Sequence, residues 1–152
     1  MAGLAAALVN LAAMQVAATV TVEEVVTKIE EVFTGPVPGN VTPTLPWIQN
    51  LWTFPEQGDF LAQEVHTYQI NSQWFIADVM PADTDTWLAI TKLWEHFLNL
   101  WIADQRWKNG GAATILSGMP PTGGEALLER GGKDYLGLDV IWVVQIERNT
   151  SA

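Results

Sequence analysis

The longest periodic run of apolar residues in the chain extends from Thr84 to Trp107. Tryptophan recurs in it every seven residues, and other apolar residues widen that line into one helical face: Trp87, Ile90, Leu93, Trp94, Phe97, Leu98, Leu100 and Trp101. Asp83 or Asp85 can cap its start, because a side-chain oxygen there accepts a bond from a free backbone N–H. Asn109-Gly110-Gly111 can end it, since glycine tolerates the left-handed conformation that follows many helices. The pattern predicts a long amphipathic helix over 84–107.

The first 20 residues are apolar and rich in alanine. A signal peptide needs a basic start, but the first basic residue of the chain is Lys28. The segment has nearly the length of a membrane-spanning helix. However, Asn10 and Gln15 interrupt it, and no basic residue flanks it. We therefore expect a helix that packs on its own domain or on a neighbouring subunit.

A second helix is expected directly after this segment. Thr21 and Glu24 have the spacing of a capping box, in which each side chain bonds a free backbone N–H at the other residue. The apolar residues that follow fit one helical stripe: Val22, Val25, Val26, Ile29, Val32 and Phe33. Residues 1–34 are thus expected to form a helical N-terminal region. Residues 35–46 hold four prolines and two glycines, which predicts an extended connector.

Strand patterns dominate the rest of the chain. Residues 47–54 are short and aromatic, and 63–80 predict one long strand or a hairpin turning at Asn71-Ser72. The strongest pattern is 135–148, which is apolar on both faces, as in a central strand or an edge covered by a partner. Shorter elements complete the prediction: strands within 112–119 and 126–129, turns at 55–59 and 130–134, and a loop at 120–124.

These elements predict the α+β class. The expected domain is a single one, 1–152, with a mostly antiparallel sheet backed by long amphipathic helices. In this domain 47–148 supply the sheet and the main helix. A length of 152 residues suits one domain, and 49% hydrophobic residues suffice for a core.

The charge of the chain argues against polyanionic binding partners. The chain has 17 acids against 7 bases and a net charge of −10. Nucleic acids and anionic membranes are polyanions, so we expect neither as a tight partner. The chain has no cysteine, which excludes disulfides, thiolate metal sites and a cysteine nucleophile.

Eight tryptophans are many for this length. Core and subunit-interface roles explain them best, because tryptophan combines a large apolar area with one N–H donor. The alternative is a sugar-stacking platform, for which Trp47, Trp52 and Trp74 on short aromatic strands are the candidates.

No pattern indicates catalysis. His66 and His96, the only histidines, lie far apart in sequence and lack the further ligands that zinc needs. Ser117-Gly118 lacks the preceding glycine of a nucleophile elbow. Three glycine pairs fit hairpin turns better than a phosphate-binding loop: Gly110-Gly111, Gly123-Gly124 and Gly131-Gly132. Asp83 and Asp85 are possible acid–base partners, but as helix caps they need no other role. We expect no catalytic residue, cofactor or metal ion.

Two segments carry a resemblance to a known family. HTYQINSQWFIADVM (66–80) runs directly into the tryptophan-rich helix, and DYLGLDVIWVVQIER (134–148) ends the chain with a strand. Over 20–148 this order of elements resembles the tail terminator proteins of long-tailed bacteriophages, and more loosely the related neck proteins. Proteins of that family are α+β, with a sheet backed by helices.

The resemblance implies a structural virion protein rather than an enzyme. It implies a homo-oligomeric ring, usually a hexamer, that caps the tail tube, stops its growth and joins it to the head, with DNA passing through the hole. The implied partners are other copies of the chain, the tail tube protein and a head-proximal connector or neck protein. The implied location is the head-proximal end of the tail, after assembly in the host cytoplasm. The alternatives are a neck or head-completion protein, a carbohydrate-binding module and, with no motif in its favour, a small hydrolase.

Overall fold

A computed structural model describes residues 3–53, 65–79 and 84–147. Its helices are α1 (Leu4–Val16) and α2 (Thr84–Ala103). Its strands are β1 (Thr19–Val22), β2 (Val25–Lys28), β3 (Glu31–Phe33), β4 (Trp47–Thr53), β5 (Val65–Asp78), β6 (Ser117–Gly118), β7 (Thr122–Arg130) and β8 (Lys133–Glu147). The predicted α+β class, with a sheet backed by long amphipathic helices, is wrong. The protein is mostly β, with 45% strand, 25% helix and two helices in the described ranges.

The largest error concerns 21–33, which was expected to be helical. These residues form instead the β1–β2 hairpin and β3, so 1–34 is not a helical region. Seven of the ten residues from 19 to 28 are β-branched valine or threonine. Such side chains lose rotamer freedom in a helix and pack well on a pleated strand. The spacing of Thr21 and Glu24 spans a hairpin turn and is not a capping box.

The turn of this hairpin is strained. Glu23 and Glu24, the two residues between β1 and β2, have φ angles of 48° and 67°. Two-residue turns of this mirror-image type favour Asn-Gly, because other residues pay sterically for a positive φ. We expect Glu23→Asn/Glu24→Gly to raise the free energy of unfolding by about 1 kcal/mol, as measured by urea denaturation.

A charge-matched variant separates strain from repulsion between the two acids. Glu23→Gln/Glu24→Gln removes the same charges but keeps two side chains in the left-handed conformation, so its stability should stay close to that of the wild type. An equal gain in both variants would show that charge repulsion, not backbone strain, destabilises the turn.

The main sheet is built around β8. Its strand order is β3-β4-β5-β8-β6, and β7 also pairs with β8. The β3–β4 pair is parallel, whereas the other pairs are antiparallel. The strands predicted at 47–54, 63–80 and 135–148 are confirmed as β4, β5 and β8. Because Asn71 and Ser72 pair in register with β8, β5 is one continuous strand and not a hairpin.

Short predicted elements near β8 shift in extent. The strand expected within 112–119 is reduced to β6, although Leu116 and Met119 also donate backbone hydrogen bonds to β8. The strand expected at 126–129 is the longer β7, which takes in part of the loop predicted at 120–124. Gly137 lets β5 and β8 approach, since a Cβ there would lie 1.7 Å from the Trp74 carbonyl oxygen. The turn expected at 55–59 lies outside the described residues.

The main helix is confirmed, but it ends at Ala103 rather than at Trp107. The carboxylate of Asp104 accepts the backbone N–H groups of Lys108 at 2.7 Å and Asn109 at 2.8 Å, and so holds the turn that follows the helix. The buried line of α2 is Ile90, Leu93 and Phe97. The tryptophans that recur every seven residues, Trp87, Trp94 and Trp101, are only partly buried beside that line.

The core contains one large cluster between the helices and one face of the sheet. Trp74 of β5 and Trp142 of β8 face Phe97 of α2, with ring centroids 5.1 and 5.9 Å apart. A smaller cluster of Trp47, Phe75 and Leu128 lies apart from it. The connector 35–46 packs there through Val37 and Leu45, and it contains no helix or strand.

The expected N-terminal helix is confirmed as α1, which packs on its own domain. Its buried apolar residues are Ala7, Leu8, Leu11 and Met14. Gln15 is also fully buried and joins Asn50 of β4 and Ser72 of β5 through hydrogen bonds between their side chains. Among the described helices, none is both long enough and apolar enough to cross a membrane.

Candidate functional site

The structure places the two histidines in separate structural roles. His66 is 8% exposed on β5, with its Nδ1 3.4 Å from the hydroxyl of Tyr68. Burial raises the pKa of that tyrosine hydroxyl. Nδ1 of His96 accepts the backbone N–H of Thr19 at 2.9 Å and so ties the hairpin to α2. Within the ranges described, no three side chains of the metal-ligating types form a group.

A serine–histidine pair is not formed at the candidate Ser117. Its hydroxyl donates to Oε1 of Gln145 at 2.6 Å, and the two residues are paired across β6 and β8. His66 is paired with Ile146, the next residue of β8. Successive side chains of a strand point to opposite faces, so Ser117 and His66 lie on opposite faces of the sheet.

Of the candidate acid–base pair Asp83 and Asp85, only Asp85 lies within the described residues. Asp85 is exposed in the first turn of α2, where its charge suits the helix dipole. Asp83 lies outside the described residues. A cleft of about 370 Å³ separates the start of α2 from the hairpin. Its lining is mainly apolar, with Val22, Val25 and Ile76, and carries the acids Glu23 and Asp85.

Of the three glycine pairs expected in hairpin turns, Gly131-Gly132 lies in one, whereas Gly123-Gly124 lies within β7 and Gly110-Gly111 in the loop after α2. Gly131 and Gly132 have φ angles of 62° and 77° and form the turn between β7 and β8, as the sequence predicts. Gly123 allows close approach of β7 to β8, since a Cβ there would lie 2.0 Å from the Asp139 carbonyl oxygen. Gly110 has a φ of 81° in the loop after α2.

The proposed sugar platform is not assembled. Trp47 and Trp74 are 2% and 0% exposed and belong to different core clusters. Trp52 is 45% exposed but stands at an edge-on angle to Tyr68, with ring centroids 5.8 Å apart. A stacking site needs exposed aromatic faces, and these three tryptophans offer one at most.

Two basic residues near the end of the sheet make contacts within the subunit, and one of them, Arg130, holds the connector. Arg130 donates to the carbonyl oxygens of Pro38 at 2.9 Å and Val41 at 2.6 Å, and its guanidinium lies over the Trp47 ring. Lys133 forms an ion pair of 2.6 Å with Asp78, and this hydrogen bond raises the lysine pKa. These two cations therefore serve the fold.

What remains for function is a set of exposed apolar surfaces and strand edges. In the described chain, β2 pairs with β1 alone and β7 with β8 alone, so each has one unpaired edge. The large apolar side chains that are at least 37% exposed include Val9 and Val16 on α1, Val25 and Val26 on β2, and Leu116, Met119 and Leu127 on or beside β6 and β7.

The hairpin and β7 lie on opposite flanks of α2. His96 contacts Thr19 of β1, whereas the hydroxyl of Thr91 donates to Glu125 of β7 at 2.7 Å. Five residues of an α-helix correspond to a rotation of about 140°. The unpaired edges of β2 and β7 are therefore on different sides of the molecule. Among the described strands β1, β3 and β6 also pair with one strand each, and α2 contacts β1 while α1 contacts β3.

Sequence reasoning missed these edges because it assigned the hairpin to a helix. The β-branched run from 19 to 28 was the signal that could have found it. No family model matches the sequence, and no curated protein matches it either.

Proposed function

We propose that this protein is a structural subunit of a bacteriophage particle, a tail terminator that forms a ring on the tail tube and joins it to the head. The observation that carries the proposal is the exposure of apolar side chains and unpaired strand edges on two different flanks of the subunit. Large exposed apolar patches usually mark an interface.

The position of these surfaces favours a ring over a two-fold dimer. A two-fold dimer uses the same patch on both copies, whereas a contact between two different patches repeats until it closes or grows into a fibre. The hairpin flank and the β7 flank are different patches that lie on opposite sides of α2. In a closed ring, the hairpin flank and the β7 flank of every copy are both covered by a neighbouring copy.

The outer face of α1 adds to the surface available for contacts. This helix has no charged residue, and Val9 and Val16, seven positions apart, are 61% and 50% exposed on one face. Helices that are apolar all round are normally covered. A neighbouring subunit, the tail tube protein or the head-proximal connector can cover it in the particle.

The charge supports a channel through which DNA passes. The chain has ten more acids than bases, and two of its seven bases, Arg130 and Lys133, are engaged in contacts within the subunit. A wall that does not grip a polyanion lets it slide, because tight binding needs several cations that release counterions together.

A neck or head-completion protein is the second candidate, since a ring at that position would present the same surfaces. Deletion of the gene from the phage distinguishes the two. Loss of a terminator should give tubes of abnormal length that lack heads. Loss of a neck protein should leave tails of normal length that fail to join heads. Complementation with the wild-type chain should restore normal particles.

Electron microscopy of intact particles tests the proposal directly. We expect a symmetric ring of this chain, six copies by the family resemblance, at the head-proximal end of the tail, with acidic residues toward the lumen. A single copy in the particle, a position away from the tail axis, or absence from the particle would contradict the proposal.

A further inference from the structure

We infer that the unpaired edge of β2 in one copy pairs antiparallel with the unpaired edge of β7 in the next copy, with Val26 opposite Leu127 and Lys28 opposite Glu125. This inference rests on the proposed function, because it specifies the contact that closes the ring.

The free edge of β2 offers the backbone groups of Val26 and Lys28. In a hairpin with a two-residue turn, the residues that flank the turn exchange backbone hydrogen bonds, and every second residue does the same. Here Val22 pairs with Val25, and Val20 with Thr27. The intervening residues of β2 therefore point their N–H and C=O groups away from β1.

The free edge of β7 follows from the same rule. Its turn to β8 also has two residues, and Arg130 pairs with Lys133 beside it. The residues of β7 whose backbone groups bond β8 are therefore Arg130 and every second residue before it, namely Leu128, Ala126 and Gly124. The residues between them, including Glu125 and Leu127, point their backbone groups outward.

The two edges can form hydrogen bonds only in registers where a residue of β2 whose N–H and C=O point outward lies opposite such a residue of β7. In the proposed register Val26 and Leu127, which are 61% and 64% exposed, cover each other. Lys28 and Glu125 then stand opposite on the same face, since both lie two residues from the apolar pair. Within the subunit the Glu125 carboxylate accepts the Thr91 hydroxyl, and it has further acceptor sites for Lys28. Opposite charges across strands stabilise the pair, and an apolar pair excludes water. A shift by two residues would place Lys28 against Leu127 or Gly123 and lose both contacts.

The same edge disfavours pairing with itself. If β7 paired antiparallel with β7 of another copy around Leu127, Glu125 would face Glu129. Like charges directly opposite in a ladder are destabilising. The charges on this edge thus select β2 rather than a second β7, which keeps the contact head-to-tail.

Cross-linking of single-cysteine variants tests the register. The chain has no cysteine, so engineered thiols have no background. Val26→Cys and Leu127→Cys chains, one carrying a mass tag, are mixed at the highest soluble concentration and oxidised. We expect the mixed disulfide as the main product, because facing residues of a strand pair lie within disulfide reach.

The matched control replaces Leu127→Cys with Glu129→Cys, two residues along the same edge. This control should give several-fold less mixed disulfide with Val26→Cys. If a ring forms but the Val26→Cys/Leu127→Cys disulfide is no more abundant than the control disulfide, the proposed pairing is wrong and the proposed function still stands. A chain that stays monomeric and yields no mixed disulfide would also overturn it. The particle images decide the proposed function separately.

A charge exchange gives a second measurement on the same contact. Lys28→Glu and Glu125→Lys should each weaken assembly about tenfold by light scattering, because each places like charges opposite. Combining both substitutions in one chain should restore assembly. Both residues are exposed, but Glu125→Lys also removes the acceptor of the Thr91 hydroxyl, so thermal melts of each variant must first show that the fold is kept. Singles that assemble normally, or a double variant that fails to recover, would contradict the register.

Discussion

Trp142→Ala is expected to lower the free energy of unfolding by about 3–5 kcal/mol, the largest effect of any single substitution proposed for this chain. Trp142 is 1% exposed in the middle of β8. Its ring centroid lies 5.9 Å from that of Phe97, 5.8 Å from Trp101 and 5.4 Å from Trp107. Alanine would remove the surface that joins α2 and the loop after it to the central strand.

Urea denaturation followed by tryptophan fluorescence and circular dichroism measures this loss. Ile102→Ala is the control, since Ile102 lies on the exposed side of α2 with 58% of its surface accessible, and its effect should stay within about 0.5 kcal/mol. Trp94→Ala should fall between the two, because Trp94 is only partly buried. A loss below about 1 kcal/mol for Trp142→Ala would show that the aromatic cluster does not hold the fold together.

The sequence predicts those elements whose periodicity and residue types agree. β8 and β5 are long, β-branched and aromatic, and α2 combines a helical period with strong helix formers. In 21–33 the two signals disagree, because the valines fit a helical stripe by spacing but strands by side-chain shape. The predicted helical region, and with it the α+β class, rests on the spacing, whereas the strands that form there agree with the side-chain shape.

The candidate surfaces were less predictable than the strands. An unpaired edge is a property of the sheet, and only the strand order reveals that β2 and β7 each lack a second neighbour among the described strands. The sequence did suggest uncovered apolar surface through the N-terminal segment and β8. The structure places β8 at the centre of the sheet and leaves the α1 side chains Val9 and Val16 exposed.

Buried polar networks are the feature that sequence reasoning finds hardest. Gln15, Asn50 and Ser72 are ordinary polar residues from three separate segments, and all are 0% exposed. In the sequence, Gln15 is a polar residue within the apolar N-terminal segment, and it argues against a membrane-spanning helix there. In the fold it is the residue that fixes how α1 docks on β4 and β5.

Asn50→Leu is expected to lower the free energy of unfolding by about 3 kcal/mol, because it leaves buried polar groups unpaired. Nδ2 of Asn50 donates to Oε1 of Gln15 at 2.8 Å, and its Oδ1 accepts from Nε2 of Gln15 at 3.1 Å and from the Ser72 hydroxyl at 2.5 Å. Leucine has a similar volume but neither donor nor acceptor. Gln15 would then lack a partner for its carbonyl oxygen, and Ser72 would lack an acceptor.

The triple variant Gln15→Leu/Asn50→Leu/Ser72→Ala separates lost hydrogen bonds from lost packing. With all three polar side chains gone, no donor or acceptor of the network is left unpaired, and most of the stability should return. Asn71→Leu is the matched control on β5, on the opposite face from Ser72, where the buried Oδ1 has no hydrogen-bond partner, so no loss is expected. If the triple variant is as unstable as Asn50→Leu in urea, the shape of the three side chains, rather than their hydrogen bonds, holds α1 on the sheet.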